Sequence, residues 1–196
     1  MAQNSIQYKC LCRRVQKLGS CYLPPVRTDG NYTKKEQDDI RAYSLLTHAE
    51  IESYIETVSR EKAQRALNKW LADRKFKSNI LLSLACFIEQ TGRIKNATTL
   101  ENKMKLIAGS YNVIVNNNHG IKVENIHNLV LPIGVDESSL DNTLMNTLTS
   151  FGRTRGEYAH TSASVQTMPD PVTIQSTVNL IITSIATLDL QIKSLK

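Results

Sequence analysis

Two arginines and a histidine lie close together near the end of the chain, in the segment F-G-R-T-R-G-E-Y-A-H-T-S (151–162). Arginine presents a planar guanidinium group that matches the oxygens of a phosphate. Histidine has an ordinary pKa of about 6.5, so an imidazole can both take and give a proton near neutral pH. Arg155 and His160 therefore have the side-chain types that cleavage of an RNA phosphodiester without metal requires, with the imidazole transferring protons and the guanidinium stabilising the charged phosphorane.

The neighbouring residues leave two questions open. Arg153 also precedes His160, with six residues between them, and is either the alternative arginine or an auxiliary phosphate contact. A surface ion pair or a capped helix end would account for the same residues without chemistry. We expect the helix through Leu140 and Phe151 to end near Gly152, so that Arg155 and His160 lie at a helix break with exposed backbone N–H groups.

The elements around this segment are predicted to be helices. The chain has 196 residues, enough for one sizeable core, and its 8 glycines and 5 prolines are too few for a turn-rich β fold. We predict an all-α, single-domain bundle of about six or seven helices. The first predicted helix begins at a capping box of Thr33 and Glu36 and runs to about 72, as one long helix or two broken ones. The next helices are predicted over 78–90, from a second capping box of Thr98 and Glu101, and over 123–130. Asp136 is predicted to cap a further helix, and Asp170 with Pro171 to begin the last one.

The basic charge is concentrated at the N-terminus. The net charge is +6, and residues 1–35 contain seven Lys or Arg against one acidic residue. This segment contains Pro24-Pro25 and Asp29-Gly30 and shows no sustained helical period, so we predict an extended arm over 1–35, with at most one short helix, followed by a helical domain over 36–196. The arm is either a solvated surface or a phosphate-contacting segment for nucleic acid.

Metal and membrane signals are weak. The four cysteines are Cys10, Cys12, Cys21 and Cys86, and the C-x-C spacing differs from the usual spacing of zinc ligands, so we predict free thiols, no metal and no cofactor. The N-terminus lacks the apolar run of a signal peptide, and the late apolar stretch V-N-L-I-I-T-S-I-A-T-L is too short to span a bilayer. We expect a cytoplasmic protein that does not bind a membrane.

Two segments resemble one family. R-G-E-Y-A-H (155–160) resembles the R-x4-6-H motif of the HEPN superfamily, and R-A-Y-S-L-L-T-H-A-E-I-E-S-Y-I-E (41–56) resembles the first core helix of its RiboL-PSP-type group, with an early H-A-x-x-E element. The resemblance covers about 38–195. It implies a helical bundle that forms a homodimer, with the two motifs facing each other across a shared cleft. It also implies metal-independent endoribonuclease activity on RNA, often in a toxin or anti-phage effector with a cognate antitoxin or defence-complex partner.

The resemblance assigns roles to individual residues. Arg155 takes the place of the motif arginine and His160 that of the motif histidine, while Glu52 is the acid expected to orient an active-site side chain. Gly156 departs from the family, which usually has Asn, Asp or His after the arginine, and Glu157 or Glu52 would have to substitute for that polar group. The tyrosine of nucleotidyltransferase-silenced HEPN toxins is replaced by Ser162, so that mode of control is not expected.

The other three histidines are interpreted as structural. His48 is expected to be a core or interface histidine, which approaches the site only if the long helix lines the cleft. His119 in N-N-N-H-G is expected to cap a helix end, and His127 lies on a short amphipathic helix. His160 is therefore the single motif histidine of one chain. Glu157 is a possible second group, but with an ordinary pKa of about 4.3 a glutamate is a weak acid at pH 7, so we expect a second copy of the chain to supply the second group; a site within one chain would use Glu52 or Glu157. The apolar faces of the last two helices are taken as the surface that such a dimer would bury.

Overall fold

The computed structural model describes residues 3–76, 78–89, 98–162, 166, 168 and 170–196. Within these residues the chain is all-α, as predicted, and contains no strand. A short 3-10 turn at Glu137–Ser139 precedes the sixth helix. The α-helices are α1 (Ile6–Tyr22), α2 (Lys34–Asp73), α3 (Asn79–Glu89), α4 (Leu100–Asn116), α5 (Val123–Val130), α6 (Asn142–His160) and α7 (Pro171–Ser194).

The central element is α2, a single helix of 40 residues that contacts each of the other six described helices. The predicted capping box is present: Glu36 N donates to Thr33 Oγ1 (3.3 Å), and Glu36 Oε2 accepts from Thr33 N (2.8 Å). Apolar residues on several faces of α2 are buried, among them Ile40, Tyr43 and Leu67. A helix that is buried on several sides is held together by its neighbours along its whole length, which explains why it is not broken into two.

The N-terminal segment is not an extended arm, and that prediction is wrong. Residues 6–22 form α1, whose first turn is capped by Ser5 and whose apolar face packs against α2 through Leu11, Val15 and Leu18. This spacing of four and three residues is a helical period, obscured in the sequence by Cys12 and the basic residues between them. The division of the chain at residue 35 stays a prediction. Helix α1 shares its hydrophobic core with the rest of the bundle.

Asp189 on α7 fixes the start of α1. Its carboxylate is 2% exposed and accepts hydrogen bonds from Ser5 N (2.7 Å) and from the hydroxyl of Tyr54 (2.8 Å). Burial acts to raise the pKa of Asp189, but the hydrogen bonds from Ser5, Tyr54 and Asn4 outweigh it and hold this pKa below its ordinary value. The charged carboxylate thus joins α1, α2 and α7.

Two predicted helix starts are shifted along the chain. Helix α4 is capped by Thr99, whose side chain accepts from Asn102 N, so the capping box expected at Thr98 is not formed. Asp136 caps the 3-10 turn, and Asp141 caps α6 instead. The N-cap of α7 is Asp170 with Pro171 in the first turn, as predicted.

Helix α6 continues through both glycines to His160, so the helix break expected near Gly152 is wrong. A helical glycine costs about 1 kcal/mol relative to alanine, which packing on either side can offset. Here Phe151 is buried and Tyr158 packs against the core. The arginines and His160 therefore lie on the last turns of a continuous helix.

Helix α7 has 24 residues and is, by length and composition alone, long and apolar enough to cross a membrane, contrary to the expectation of a stretch that is too short. Its apolar face is buried in the bundle together with Asp189, which is the pattern of a core helix. The faces of α6 and α7 that the sequence analysis assigned to a dimer contact are likewise inside one chain, including Leu148 (0% exposed) and Ile181 (0%). The buried residues of these two faces are therefore not available to a second copy.

Candidate functional site

An open cleft of about 630 Å³ lies between α2, the loop that joins α4 to α5, and the last turns of α6. It contains three of the five site residues predicted from the sequence, Arg155, His160 and Glu52, although their segments are about a hundred residues apart. Further chemistry-bearing residues line it as well. The cleft is lined by His48, Glu52, His119, Gly120, Ile121, Lys122, Glu124, Asn125, Gly152, Arg155, Gly156 and His160.

Helix α6 contributes one face to the cleft. Residues 152, 155, 156 and 160 follow the three-to-five-residue spacing that places side chains on one side of a helix. Arg155 is half-buried and His160, the last residue of α6, is exposed. The other two α6 residues that line the cleft, Gly152 and Gly156, are glycines, and Gly156 lies between Arg155 and His160 in the sequence.

His48 and Glu52 are one turn apart on α2 and form the inner wall. His48 is only 3% exposed, and its Nδ1 lies 3.6 Å from Glu52 Oε2 without forming a hydrogen bond in the described part of the chain. Burial lowers the pKa of His48 from its ordinary value; the Glu52 carboxylate opposes this, and the nearby Arg155 guanidinium lowers the pKa further. The His48 imidazole is therefore held neutral near neutral pH, and the effect of the Arg155 guanidinium on this pKa shows that the α6 arginine lies near His48 of α2.

Gly152 allows α6 to approach this wall closely. A Cβ placed on Gly152 would lie 3.5 Å from Lys122 Cγ, 3.7 Å from Ile121 Cγ1 and 3.9 Å from His48 Nε2. The Nε2 atom of His48 thus faces the α6 backbone, and the loop residues lie against the same glycine. A side chain at 152 would contact both walls of the cleft.

The loop wall is held by a set of polar contacts. Glu52 Oε1 accepts a hydrogen bond from Gly120 N at 2.5 Å, and Gly120 has a φ of +117°, a conformation that favours glycine. Asn118, which is 6% exposed, donates to Gly120 O (3.3 Å) and accepts from Asn125 Nδ2 (3.2 Å). Asn125 Nδ2 also donates to His119 O (3.3 Å). These contacts determine where the loop, and with it His119, stands relative to Glu52.

A second carboxylate lies next to the loop. Burial raises the pKa of Glu56, a hydrogen bond from Asn118 opposes this, and the charge of Glu52 raises it further. Arg60 and His119 each act to lower the same pKa, so both lie near the Glu56 carboxylate.

Two predicted site residues do not line this cleft. Glu157 faces a separate cleft of about 540 Å³ between α6 and α7, together with Thr154 and Tyr158. Arg153 is exposed and lines neither of these clefts. The structure thus separates Arg155 from Arg153, which the sequence alone left as alternatives.

The contribution of the α4–α5 loop to the cleft was not predicted from the sequence. His119 was expected to cap a helix end, but the end of α4 is capped by Asn117 and the start of α5 by Lys122, while His119 lines the cleft. His48 does approach the site, because α2 lines the cleft as that expectation required. The signal for the loop was Gly120 after a run of asparagines, a pattern that indicates a turn but not which residues it faces. Within the described residues, no group of three or more His, Cys, Asp or Glu is arranged to hold a metal ion.

Comparison with known proteins identifies the family. The family model described as RiboL-PSP-HEPN matches residues 22–194, which is most of the chain. The protein therefore belongs to the RiboL-PSP-HEPN family, as its two motifs predicted. No curated protein and no solved structure matches the chain.

Proposed function

We propose that this protein is a metal-independent endoribonuclease whose active site is the cleft between α2, the α4–α5 loop and α6. The observation that carries the proposal is the presence of Arg155, His160 and Glu52 in one cleft, although they come from distant parts of the chain. Membership of a HEPN family, in which many members act on RNA, supports the same chemistry.

The reaction is an internal transesterification. One group removes the proton of the ribose 2′-OH, the 2′-oxygen forms a bond to phosphorus, the bond from phosphorus to the 5′-oxygen breaks, and a second group protonates that 5′-oxygen. The products are a 2′,3′-cyclic phosphate and a 5′-hydroxyl. His160 transfers one of these protons, and Arg155 binds the phosphoryl oxygens as negative charge develops on them.

The expected cellular role, the controlling partner and the dimer form part of the same proposal. The protein acts on RNA in the cytoplasm as a toxin or anti-phage effector controlled by a cognate partner, and two copies place their Arg155 and His160 segments across a shared cleft. The open side of the cleft, where His160 is exposed, leaves this contact accessible. The buried faces of α6 and α7 do not contribute to it.

A second candidate function is binding of RNA or nucleotide without cleavage. Gly156 favours this function, because the family usually has a polar side chain there that joins the active site. The space for such a side chain is open, since a Cβ on Gly156 would meet no atom within 4 Å. If the parent protein binds RNA without cutting it and Gly156→Asn cuts, the second function is the right one.

The deciding experiment is a cleavage assay on labelled RNA with purified protein, with and without EDTA. We expect cleavage in both conditions, and a loss of roughly 10²–10⁴-fold in His160→Ala with an unchanged melting temperature. His127→Ala is the matched control, because His127 lies on α5 beside Glu137 (3.8 Å) and does not line the cleft. An inactive parent protein, or equal rates for His160→Ala and His127→Ala, would reject the proposal.

A further inference from the structure

We infer that His119 is the second proton-transfer group of this site, so that one chain supplies both the acid and the base. The inference rests on the proposed ribonuclease function and replaces one part of it: the second proton-transfer group comes from the same chain and not from a second copy. Neither of the two family motifs includes His119, which enters the cleft only through the fold of the α4–α5 loop.

Transesterification needs two proton transfers on opposite sides of the phosphorus atom, one from the attacking 2′-oxygen and one to the leaving 5′-oxygen. His119 and His160 come from different elements, the loop and the end of α6, and both are exposed to the same open cleft. Arg155 lines this cleft with them. A phosphate bound to Arg155 is therefore accessible to one imidazole from α6 and to another from the loop.

His48 is less suited to the second proton transfer. It is almost completely buried, its Nδ1 faces Glu52, and its Nε2 faces the backbone of α6 at Gly152. A side chain enclosed in this way acts on Arg155 and on the cleft wall and does not reach the open side where RNA would bind. Its place in the site is that of a positioning residue.

The contacts of the loop give His119 a defined position. Gly120, the next residue, donates its N–H to Glu52, and the carbonyl of His119 itself accepts from Asn125. The imidazole lies near the carboxylate of Glu56, on which Arg60 also acts, and shares the cleft with three other charged residues, Glu52, Lys122 and Glu124. A functional group must be held close to its productive position, and the fixed loop backbone contributes to this while the imidazole is exposed to the cleft.

The first test compares His119→Ala with Asn117→Ala on the same RNA. Asn117 is the matched control because it is an exposed residue of the same loop that does not line the cleft. We expect a loss of roughly 10²–10⁴-fold in His119→Ala and a rate close to that of the parent in Asn117→Ala. His119→Gln, which keeps hydrogen bonding but cannot transfer a proton near neutral pH, is expected to be as inactive as His119→Ala. A rate for His119→Gln equal to that of the parent would overturn the inference.

The second test separates acid from base by changing the substrate. In an RNA whose scissile 5′-oxygen is replaced by sulfur, the thiolate leaves without being protonated, so the variant that lacks the acid regains its rate and the variant that lacks the base does not. We expect exactly one of His119→Ala and His160→Ala to recover on this substrate. Recovery of neither, or of both, would contradict a pair made of these two histidines.

Mixing the two inactive chains tests whether the pair lies within one chain. If His119 and His160 act in the same cleft of one chain, a mixture of His119→Ala and His160→Ala stays inactive, whereas recovered activity would place the pair across two subunits and overturn the single-chain site. The proposed function fails separately, by an inactive parent. With an active parent and an inactive His160→Ala, full activity of His119→Ala would reject only the present inference.

Discussion

Glu52 on α2 accepts a hydrogen bond from the backbone N–H of Gly120, 68 residues further along the chain, at a distance of 2.5 Å. The other oxygen of the same carboxylate lies 3.6 Å from His48 Nδ1. One side chain thus faces the loop that contains His119 and also the buried histidine next to Arg155. The early and late motifs of the family meet at this point, because α2 and α6 each contribute one wall of the cleft.

We predict that Glu52→Ala destabilises the fold and inactivates the protein, whereas Glu52→Gln keeps most of the stability. Glu52→Ala leaves the Gly120 N–H without its acceptor, which costs about 1–3 kcal/mol for a buried group, while glutamine retains an acceptor oxygen in the same place. The measurement is urea unfolding, together with hydrogen exchange of the Gly120 amide. That amide is expected to exchange faster in Glu52→Ala than in the parent.

Glu50→Ala is the control for this prediction. Glu50 lies on the same helix and pairs with Arg14 at the surface (2.8 Å), so its loss is expected to cost less than about 1 kcal/mol. Equal destabilisation by Glu50→Ala and Glu52→Ala, or an unchanged Gly120 amide, would show that the carboxylate does not hold the loop.

We predict that Arg155 contributes to cleavage and that Arg153 does not. Arg155 lines the cleft and Arg153 does not, so Arg155→Ala is expected to lose roughly 10²-fold or more in rate, and Arg153→Ala to stay close to the parent. Arg155→Lys is expected to fail as well, because lysine keeps the charge but not the planar pair of donors. Single-turnover cleavage rates measure all three variants, and equal rates for Arg155→Lys and the parent would exclude a bidentate phosphate contact.

Helices with strong local signals were predictable from the sequence. The capping box of Thr33 and Glu36 and the Asp170-Pro171 start of α7 lie where the sequence places them, because capping depends on residues within one turn. Helix α1 was missed because its local signals are weak and its stability comes from packing. Leu11 and its neighbours are buried against α2, and Asp189, far away in the chain, anchors Ser5.

Residues of the candidate site were predictable from the sequence only where they belong to a recognisable motif. Arg155, His160 and Glu52 were found through two short segments, whereas His119 has no motif and its position depends on the contact between Gly120 and Glu52. Glu157 shows the opposite error: it follows Arg155 by only two residues, yet it lies on the other side of α6. Residues two apart on a continuous helix point in different directions. Because the helix was expected to break near Gly152, this separation of Arg155 from Glu157 was not expected.

We predict that Gly156→Ala stabilises the protein by about 0.5–1 kcal/mol, the usual difference between glycine and alanine within a helix. A Cβ at 156 meets no atom within 4 Å, so the new methyl group creates no clash. Gly109→Ala on α4 is the matched control, because Gly109 is also within a helix and also has open space around its Cβ position. Thermal or urea unfolding measures both variants. A destabilised Gly156→Ala beside a stabilised Gly109→Ala would show that the end of α6 is not a continuous helix in solution.

We predict that His48 makes the protein less stable in mild acid. Burial lowers the pKa of His48 below its ordinary value of 6.5, with Glu52 opposing the shift and Arg155 adding to it. As the pH falls below about 6.5, the unfolded chain takes up a proton at this residue and the folded protein does not. The free energy of unfolding therefore decreases from about pH 6.5 down to the folded pKa, and His48 contributes no pH dependence above that range.

The variant His48→Gln has no proton to gain in this range, so it is expected to lose less stability on acidification than the parent. The measurement is urea unfolding of both proteins at about pH 7.5 and about pH 5.5, the two sides of the ordinary histidine pKa. His127→Gln, which replaces a partly exposed histidine on α5 outside the cleft, is the control for the loss of a histidine elsewhere in the fold. If His48→Gln and the parent lose equal stability between the two pH values, the imidazole of His48 is not held neutral by burial. The description of His48 as a neutral side chain in the inner wall of the cleft, near Arg155, is then wrong.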